Sequence, residues 1–280
     1  MRTAYDALEV LRPRTLKEAL TMLQGEGELC PLAGGTDLFV LLGAGAWPEK
    51  APRRFLDLWP LDELRGIAAA GKRRPRLELG ALTTYSDCQR AKLVRRHLPI
   101  LAAAAAEVGG VQIQNRGTLG GNIGNGSPAG DSLPVLFAAG ATVVLQSRAR
   151  GEREVPFAEF YTGYRRSVRR PDELIVRIEI PIPDPTHRQY FRKVGTRAAQ
   201  AISKVVLAAV GNRLAVGSVA PTVVGLPKVE SYLDEGGHDP ARLDELVAQD
   251  IHPIDDIRST AAYRLQVTKN LVRDCVGGRS

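Results

Sequence analysis

Glycine is concentrated in two segments of this sequence: Pro31-Leu32-Ala33-Gly34-Gly35-Thr36-Asp37-Leu38 and Thr118-Leu119-Gly120-Gly121-Asn122-Ile123-Gly124-Asn125-Gly126-Ser127-Pro128-Ala129-Gly130-Asp131. We refer to residues 31–38 as the first glycine segment and to residues 118–131 as the second glycine segment. Because glycine has no Cβ, a phosphate can approach its backbone N–H groups directly. Hydroxyl and amide side chains beside the glycines add further hydrogen-bonding groups. The pattern predicts that the two segments converge on one long dinucleotide.

Elements predicted around the first glycine segment favour anion binding. Leu29–Ala33 has the apolar character of a short strand, and a helix is predicted from Asp37 to Leu42. This order of strand, loop and helix directs loop N–H groups and a helix N-terminus toward one point. The second glycine segment follows an alanine-rich helix predicted over 100–108. A pair of glycines alone is equally typical of a turn, so the ligand hypothesis depends on both segments acting together.

Other nucleotide, metal or catalytic sites find little support in the sequence. It contains no G-x-x-x-x-G-K-[ST] motif, and Gly43-Ala44-Gly45-Ala46-Trp47-Pro48 has proline where a dinucleotide fingerprint needs its third glycine. The four histidines lie apart, without metal-ligand spacing. Cys30, Cys88 and Cys275 are also far apart, so we expect no zinc or iron–sulfur site within this chain. A bound cofactor that carries the chemistry is the simplest interpretation.

Composition indicates a globular protein that binds neither nucleic acid nor a membrane. Of its 280 residues, 44% are hydrophobic and 25% are charged, as in an ordinary globular protein. The formal net charge is +7, but the basic runs at 72–76 and 165–170 are short and adjoin proline, and aromatic residues make up only 5%. Such runs favour charged hairpin loops over a nucleic-acid surface. Scattered cysteines, an acidic start and the lack of a long apolar run predict a cytoplasmic location.

Several stretches of this sequence occur together in one known family. They are Leu32-Ala33-Gly34-Gly35-Thr36-Asp37, Leu64-Arg65-Gly66-Ile67, Gln112-Ile113-Gln114-Asn115-Arg116-Gly117-Thr118-Leu119-Gly120-Gly121-Asn122-Ile123, Lys193-Val194-Gly195-Thr196-Arg197, Ala220-Pro221-Thr222 and Tyr263-Arg264. Together they resemble the FAD-binding medium subunit of molybdenum hydroxylases, the relatives of xanthine dehydrogenase and carbon monoxide dehydrogenase. The resemblance extends over nearly the whole chain.

The resemblance implies an α+β fold in two parts. The first is a two-subdomain FAD-binding domain of the vanillyl-alcohol oxidase / p-cresol methylhydroxylase type, and the second is a smaller α+β C-terminal domain. We place the FAD-binding domain at residues 1–180, with a boundary between its subdomains near 55–60. The C-terminal domain is placed at 187–280, after a proline-rich linker at 181–185.

In this family the first glycine segment cradles the diphosphate, and the second contacts the phosphates and the rest of the cofactor. The resemblance also implies that Asp131 binds FAD, that Ile175 lies against the flavin ring and that Lys193 lies near it. A branched side chain at Gly34 or Gly121 is expected to collide with the phosphates and to leave the fold largely intact. No residue is assigned a catalytic or metal-binding role. The predicted cofactor-binding residues are Leu32, Ala33, Gly34, Gly35, Thr36, Asp37, Leu38, Thr118, Gly121, Asn122, Asp131, Ile175 and Lys193.

The sequence departs from the family in two places. No histidine lies in or beside either glycine segment, so FAD is predicted to be held non-covalently. Many relatives have an acidic residue in the segment that here reads Ala198-Ala199-Gln200-Ala201-Ile202.

The resemblance implies an electron-transfer subunit of a multi-subunit oxidoreductase, most similar to xanthine dehydrogenase. A large molybdopterin subunit would oxidise substrate, and a small subunit would relay electrons through [2Fe–2S] clusters. This chain would then pass the electrons through FAD to NAD⁺ or another acceptor. Two alternatives stay open: a free-standing FAD-dependent oxidoreductase of the same fold, and a non-catalytic flavin-binding assembly module.

Overall fold

A small parallel sheet begins the chain in the computed structural model, which describes residues 8–25, 27–48, 51–198 and 200–278. The first seven residues, on which the predicted cytoplasmic location partly rests, lie outside these ranges. Ala199, in the segment that departs from the family, also lies outside them. The sheet has the order β1-β3-β2, and helix α1 connects β1 to β2. Thr15 caps α1 as its sequence predicts, since its hydroxyl accepts the Glu18 N–H at 3.1 Å. The elements are β1 (Glu9–Leu11), α1 (Leu16–Gly25), β2 (Cys30–Leu32), α2 (Leu38–Gly43) and β3 (Arg54–Asp57).

A five-stranded antiparallel sheet forms the centre of the molecule. Its order is β4-β5-β10-β6-β7, so the long strand β10 lies in the middle, and β8 pairs with β9 in a separate hairpin. The strands are β4 (Ile67–Ala70), β5 (Arg76–Gly80), β6 (Thr142–Ser147), β7 (Gly151–Pro156), β8 (Tyr161–Gly163), β9 (Arg166–Ser167) and β10 (Glu173–Pro181). Strand β7 was not anticipated from the sequence, because its charged residues alternate with few apolar ones.

Six short helices lie between β5 and β6 along the chain. The sequence Thr84-Tyr85-Ser86-Asp87 predicts a helix cap, and Thr84 begins the first of these helices with a capping box to Asp87. The helices are α3 (Tyr85–Arg90), α4 (Lys92–His97), α5 (Pro99–Ala106), α6 (Val111–Gln114), α7 (Leu119–Asn125) and α8 (Leu133–Ala138).

The C-terminal part is an antiparallel sheet of order β11-β12-β13-β14 followed by three helices. The helical spacing of Tyr263, Val267, Leu271 and Cys275 predicts that they form the buried face of the last helix. This is wrong at its start, since Tyr263 is 42% exposed, whereas Arg264 is 4% exposed. Arg264 is buried because its guanidinium binds Asp256 at 2.7 Å. The elements are β11 (Gln189–Val194), β12 (Val205–Val210), β13 (Arg213–Gly217), β14 (Val224–Gly225), α9 (Pro227–Asp234), α10 (Pro240–Asp250) and α11 (Ala261–Val276).

Strand β10 divides the core of the first part between its two faces. Leu174 and Val176 pack with α1 and the parallel sheet, whereas Ile175, Ile178 and Ile180 pack with the helices between β5 and β6. The C-terminal sheet has a core of its own on the α9–α11 side. Its opposite face presents the small Ala208 and Ala215 to the core of the first part, where α8 packs on β12 and β13. The two parts therefore share a continuous apolar contact.

Candidate functional site

The two glycine segments meet in the folded chain. The first follows β2 directly, and Gly34 is buried against the residues that precede the second. A Cβ built on Gly34 would lie 1.8 Å from the Arg116 carbonyl oxygen. Gly35 then turns the chain with φ +76°, a conformation that favours glycine. The expectation that a side chain at Gly34 spares the fold is therefore wrong, because it would collide with protein backbone.

Both segments line a single cavity of about 310 Å³. Its walls include Ile175 from β10. They also include Leu58, Leu64 and Leu82, which belong to the apolar layer between β10 and the parallel sheet with α1. The predicted cofactor residues on its surface are Leu32, Ala33, Gly34, Gly35, Thr36, Asp37, Leu38, Thr118, Gly121, Asn122 and Ile175.

The first glycine segment has free hydrogen-bond donors. Among the residues that the structure describes, none accepts a hydrogen bond from the backbone N–H groups of Gly34, Gly35, Thr36 or Asp37. Buried backbone N–H groups nearly always have a partner, and Gly34 is buried. Four consecutive donors without a protein partner, beside a cavity, form a concave surface suited to an anion. The residues present therefore fit the diphosphate of a dinucleotide.

The second glycine segment is a helix start and not an open loop. Thr118 is the N-cap of α7, and its hydroxyl accepts the Gly121 N–H at 3.0 Å. The N–H groups of Leu119 and Gly120 donate hydrogen bonds to the carbonyl oxygens of Thr83 and Ala81, at 3.0 and 2.9 Å. The expectation of bare N–H groups along this segment is therefore wrong for its first turn.

Close packing explains the first two glycines of this helix. A Cβ on Gly120 would lie 2.7 Å from the Ala81 carbonyl oxygen, and one on Gly121 would lie 2.8 Å from the Thr118 hydroxyl. The spacing of Gly124, Gly126 and Gly130 suggests a segment without a hydrophobic anchor, but Leu119 and Ile123 are fully buried and anchor the helix. Thr118 and Asn122 remain at the cavity through their side chains.

Asp131 and Lys193 lie together, but they are not among the residues lining the cavity. The Lys193 ammonium is 2.7 Å from Asp131 Oδ2 and donates to the Glu107 carbonyl at 2.9 Å. Both side chains are buried, and Asp131 Oδ1 has no hydrogen-bond partner. Burial raises the pKa of Asp131 to about 6, against the opposing effect of Lys193. Their role in binding the cofactor stays a prediction.

Several residues line the cavity that the sequence did not suggest. Arg169 belongs to a basic run that was expected to form only a hairpin rim, and Glu173 begins β10. Burial disfavours the Glu173 carboxylate, but hydrogen bonds from Arg153 and the Arg170 N–H outweigh it and keep the pKa of Glu173 below its ordinary value. No local pattern distinguishes Arg169 from its basic neighbours. The other unpredicted lining residues include Cys30, Trp47, Tyr85 and Asn125.

A second cavity of about 520 Å³ lies between the two parts of the chain. Residues 127–129, which continue the second glycine segment, form one wall, and residues 218–221 of the C-terminal part form another. The loop at 252–258 closes it, and the hairpin residues Tyr164 and Arg165 complete it.

Two negative findings concern the described residues alone. None of the helices within them is long and apolar enough to cross a membrane. In the same ranges, no group of three or more His, Cys, Asp and Glu side chains is placed to hold a metal ion.

Comparison with known protein families agrees with this site. Residues 6–183 match the family described as the FAD binding domain in molybdopterin dehydrogenase. Residues 190–277 match the CO dehydrogenase flavoprotein C-terminal domain. The chain is therefore an FAD-binding subunit of the dehydrogenase type. It belongs to the medium-subunit family of the molybdenum hydroxylases, which includes xanthine dehydrogenase and carbon monoxide dehydrogenase subunits.

Individual relatives match along almost their entire length. The glyceraldehyde dehydrogenase medium chain of Sulfolobus acidocaldarius is 32% identical over 272 residues, 93% of this chain and 94% of that protein. The xanthine dehydrogenase FAD-binding subunit of Escherichia coli O157:H7 is 31% identical over 287 residues, 97% of this chain and 96% of that protein. A solved Cu,Mo-CO dehydrogenase is 26% identical with a TM-score of 0.86, over 95% of each chain. The predicted fold is thereby confirmed, and FAD is confirmed as the cofactor of the family.

Proposed function

We propose that this chain is the electron-transfer subunit of a molybdenum hydroxylase and passes electrons from iron–sulfur clusters through FAD to NAD⁺ or another acceptor. The observation that carries the proposal is the row of four unpaired N–H groups in the first glycine segment, at a cavity that the second segment also lines. When bound, FAD supplies two-electron chemistry that protein side chains lack. The relatives that match over nearly their full length are named as subunits of dehydrogenases.

The chain's own residues would hold the cofactor without taking part in bond chemistry. The N–H groups of the first glycine segment would bind the diphosphate non-covalently, with Thr118 and Asn122 opposite them. Ile175 and the leucines of the apolar layer would exclude water from the cavity. Asp131 and Lys193 are retained as proposed contacts near the flavin. We also propose domains at residues 1–180 and 187–280, with the subdomain boundary near 55–60.

The cavity lining argues for chemistry on a partner subunit. Among the described lining residues, the carboxylates are Asp37 and Glu173, and Arg153 already binds both oxygens of Glu173 at 2.7 and 2.8 Å. A free-standing oxidoreductase would need a positioned acid and base at its substrate, and this lining supplies no such pair. Substrate oxidation is therefore assigned to a large molybdopterin subunit, with a small [2Fe–2S] subunit between the two.

The second cavity supports the acceptor part of the proposal. It adjoins the end of the second glycine segment. Among its described lining residues, the carboxylate of Asp256 is paired with Arg264, which leaves the positive charges of Arg165 and Arg258 without a carboxylate on the wall. A cationic site of this kind suits an anionic acceptor such as NAD⁺.

Purification of the native protein tests the proposal. We expect a yellow protein with one FAD per chain that co-purifies with one molybdenum-containing and one iron–sulfur subunit, identified by mass spectrometry. The isolated chain should reduce an artificial dye with NADH but should not oxidise a hydroxylase substrate. Substrate oxidation by the isolated chain would favour a free-standing oxidoreductase. Bound FAD without reduction by NADH or by a partner would favour an assembly module, and failure to bind added FAD would refute all three.

A further inference from the structure

Arg169 is a cation at the cofactor cavity that the fold holds by neutral groups. It follows the β8–β9 hairpin and lines the cavity from the side of β10. Its Nη1 donates to the carbonyl oxygens of Arg170 at 3.1 Å and of Glu173 at 2.7 Å. These two hydrogen bonds orient the guanidinium, but carbonyl oxygens carry no full charge. The Nε and Nη2 groups donate to none of the described residues.

The carboxylate of Glu173, whose charge acts on Arg169, is already paired with another residue. Glu173 lies 3% exposed and accepts hydrogen bonds from Nε and Nη2 of Arg153 at 2.7 and 2.8 Å. Burial lowers the pKa of the Arg169 guanidinium, as expected for a cation that lacks an ion-pair partner. Removing a guanidinium from water without an ion-pair partner costs free energy, and a bound anion would offset that cost.

The described cavity lining offers a diphosphate one full positive charge, that of Arg169. Among the described residues that line it, Arg169 is the one cation, beside the carboxylates of Asp37 and Glu173. A dinucleotide brings two negative charges on its diphosphate, and backbone N–H groups offer only partial positive charge. Neutral donors alone would therefore leave most of that charge unbalanced in a partly dehydrated cavity.

We propose that Arg169 binds the diphosphate of the dinucleotide through its free Nε and Nη2, opposite the N–H groups of the first glycine segment. This inference rests on the proposed function, because it presupposes that the cavity holds FAD. It adds a residue-specific, charged contact to a site otherwise built from neutral donors. A guanidinium presents two parallel donors to a phosphate, so it contributes direction as well as charge.

Binding of cofactor fragments tests the role of Arg169. The full-length chain, stripped of flavin, is titrated with FAD, ADP and adenosine by calorimetry. We expect Arg169→Gln to weaken FAD and ADP at least about tenfold, the loss of one charge-assisted contact, and to leave adenosine unchanged. Arg169→Lys should retain part of the affinity, since it keeps the charge but not the fork. Arg170→Gln is the matched control, because the Arg170 side chain is exposed and lies 3.7 Å from Glu173. It should leave the affinities for FAD, ADP and adenosine unchanged.

Each outcome decides between the inference and its alternatives. If Arg169→Gln weakens adenosine as much as ADP, or Arg170→Gln matches its effect, Arg169 does not act on the diphosphate and the inference is overturned. Equal FAD affinity in wild type and Arg169→Gln also overturns it, while the proposed function survives. If the wild-type chain binds neither FAD nor ADP, the proposed function fails first. Unfolding by urea separates an effect on binding from one on folding.

Discussion

At the scale of single residues, Gly34 shows how little space the junction of the two glycine segments contains. The added methyl group of alanine would overlap the Arg116 carbonyl, so the backbone of one segment must move. This contact concerns the fold even before any ligand is bound. Glycine is required here by close approach of two backbones, and its φ angle is not the reason.

We expect Gly34→Ala to lower the free energy of unfolding by about 2 kcal/mol or more, because overpacking against backbone cannot be relieved by a rotamer change. Urea unfolding of the flavin-free chain measures it. Gly163→Ala is the matched control, since a Cβ there meets nothing within 4 Å, and it should change stability little. Equal stability of the two variants would show that the segments do not touch as described.

Asp256 provides a pH-dependent contribution to stability. The hydrogen bond from Arg264 holds its pKa at about 2, with N–H groups of Arg258 and Ser259 also donating to it. A carboxyl whose pKa is depressed on folding stabilises the fold above its unfolded value near 3.9. That contribution is lost as the pH falls from about 4 toward 2.

We therefore expect Asp256→Asn to cost about 1–2 kcal/mol at pH 6 and about half as much at pH 3, measured by urea unfolding across that range. Asp62→Asn serves as a control that removes one exposed carboxylate elsewhere. A difference between wild type and Asp256→Asn that stays constant with pH would contradict the assignment.

At the scale of elements, an arginine–tryptophan stack holds the chain before the second glycine segment. The Arg116 guanidinium lies 3.6 Å from the centre of the Trp59 ring, and that of Arg65 lies 4.4 Å from it. Arg65 is also tied to the Trp59 carbonyl at 2.7 Å. Because the Arg116 carbonyl abuts Gly34, the stack also restrains the junction of the segments.

Replacing Trp59 by leucine should cost about 1 kcal/mol of stability, the loss of one or two partly exposed cation–π contacts. The affinity for FAD should fall a few-fold, since Arg116 becomes free to move. Trp59→Phe preserves an aromatic face and is expected to lie between wild type and Trp59→Leu in both measurements. Unchanged FAD affinity in Trp59→Leu would mean that the stack does not position the segment.

The elements also show where local pattern is informative. Periodicity and caps predict α1, α5, α11 and the strand β10 nearly at their observed bounds. The helix predicted from Thr84 to Val94 is instead interrupted at Ala91, where α3 ends before α4 begins. Helix α7 was interpreted as a loop, because three of its seven residues are Gly120, Gly121 and Gly124, which have low helix propensity. Packing of Leu119 and Ile123 into the core compensates for that propensity, and local sequence does not contain this information.

At the scale of the whole molecule, one buried ion pair joins the two parts of the chain. Lys193 on β11 reaches Asp131 and the Glu107 carbonyl, both between β5 and β6. Removal of the lysine would leave a buried carboxylate with no partner on either oxygen. Such a charge is far more costly than a missing pair.

We expect Lys193→Met to lower stability by about 3–5 kcal/mol at pH 8. The loss should be smaller at pH 5, because burial already raises the pKa of Asp131 to about 6 and a protonated carboxyl avoids the buried charge. The double variant Lys193→Met with Asp131→Asn should recover most of the stability. Its FAD affinity is the decisive measurement for the pair: wild-type affinity would indicate a structural role, and lost affinity in a stable protein would support the predicted contact with the cofactor.

The glycine segments, the cofactor and the family were all evident from short stretches of sequence, because binding a diphosphate demands small residues and specific caps at fixed local spacing. The pairing of Asp131 with Lys193, the burial of Arg264 and the place of Arg169 at the cavity depended on the folded chain. These residues are far apart in the sequence or indistinguishable from charged neighbours. A charge acquires its role from burial and from its partners, and both are set by the packing of elements that are distant along the chain.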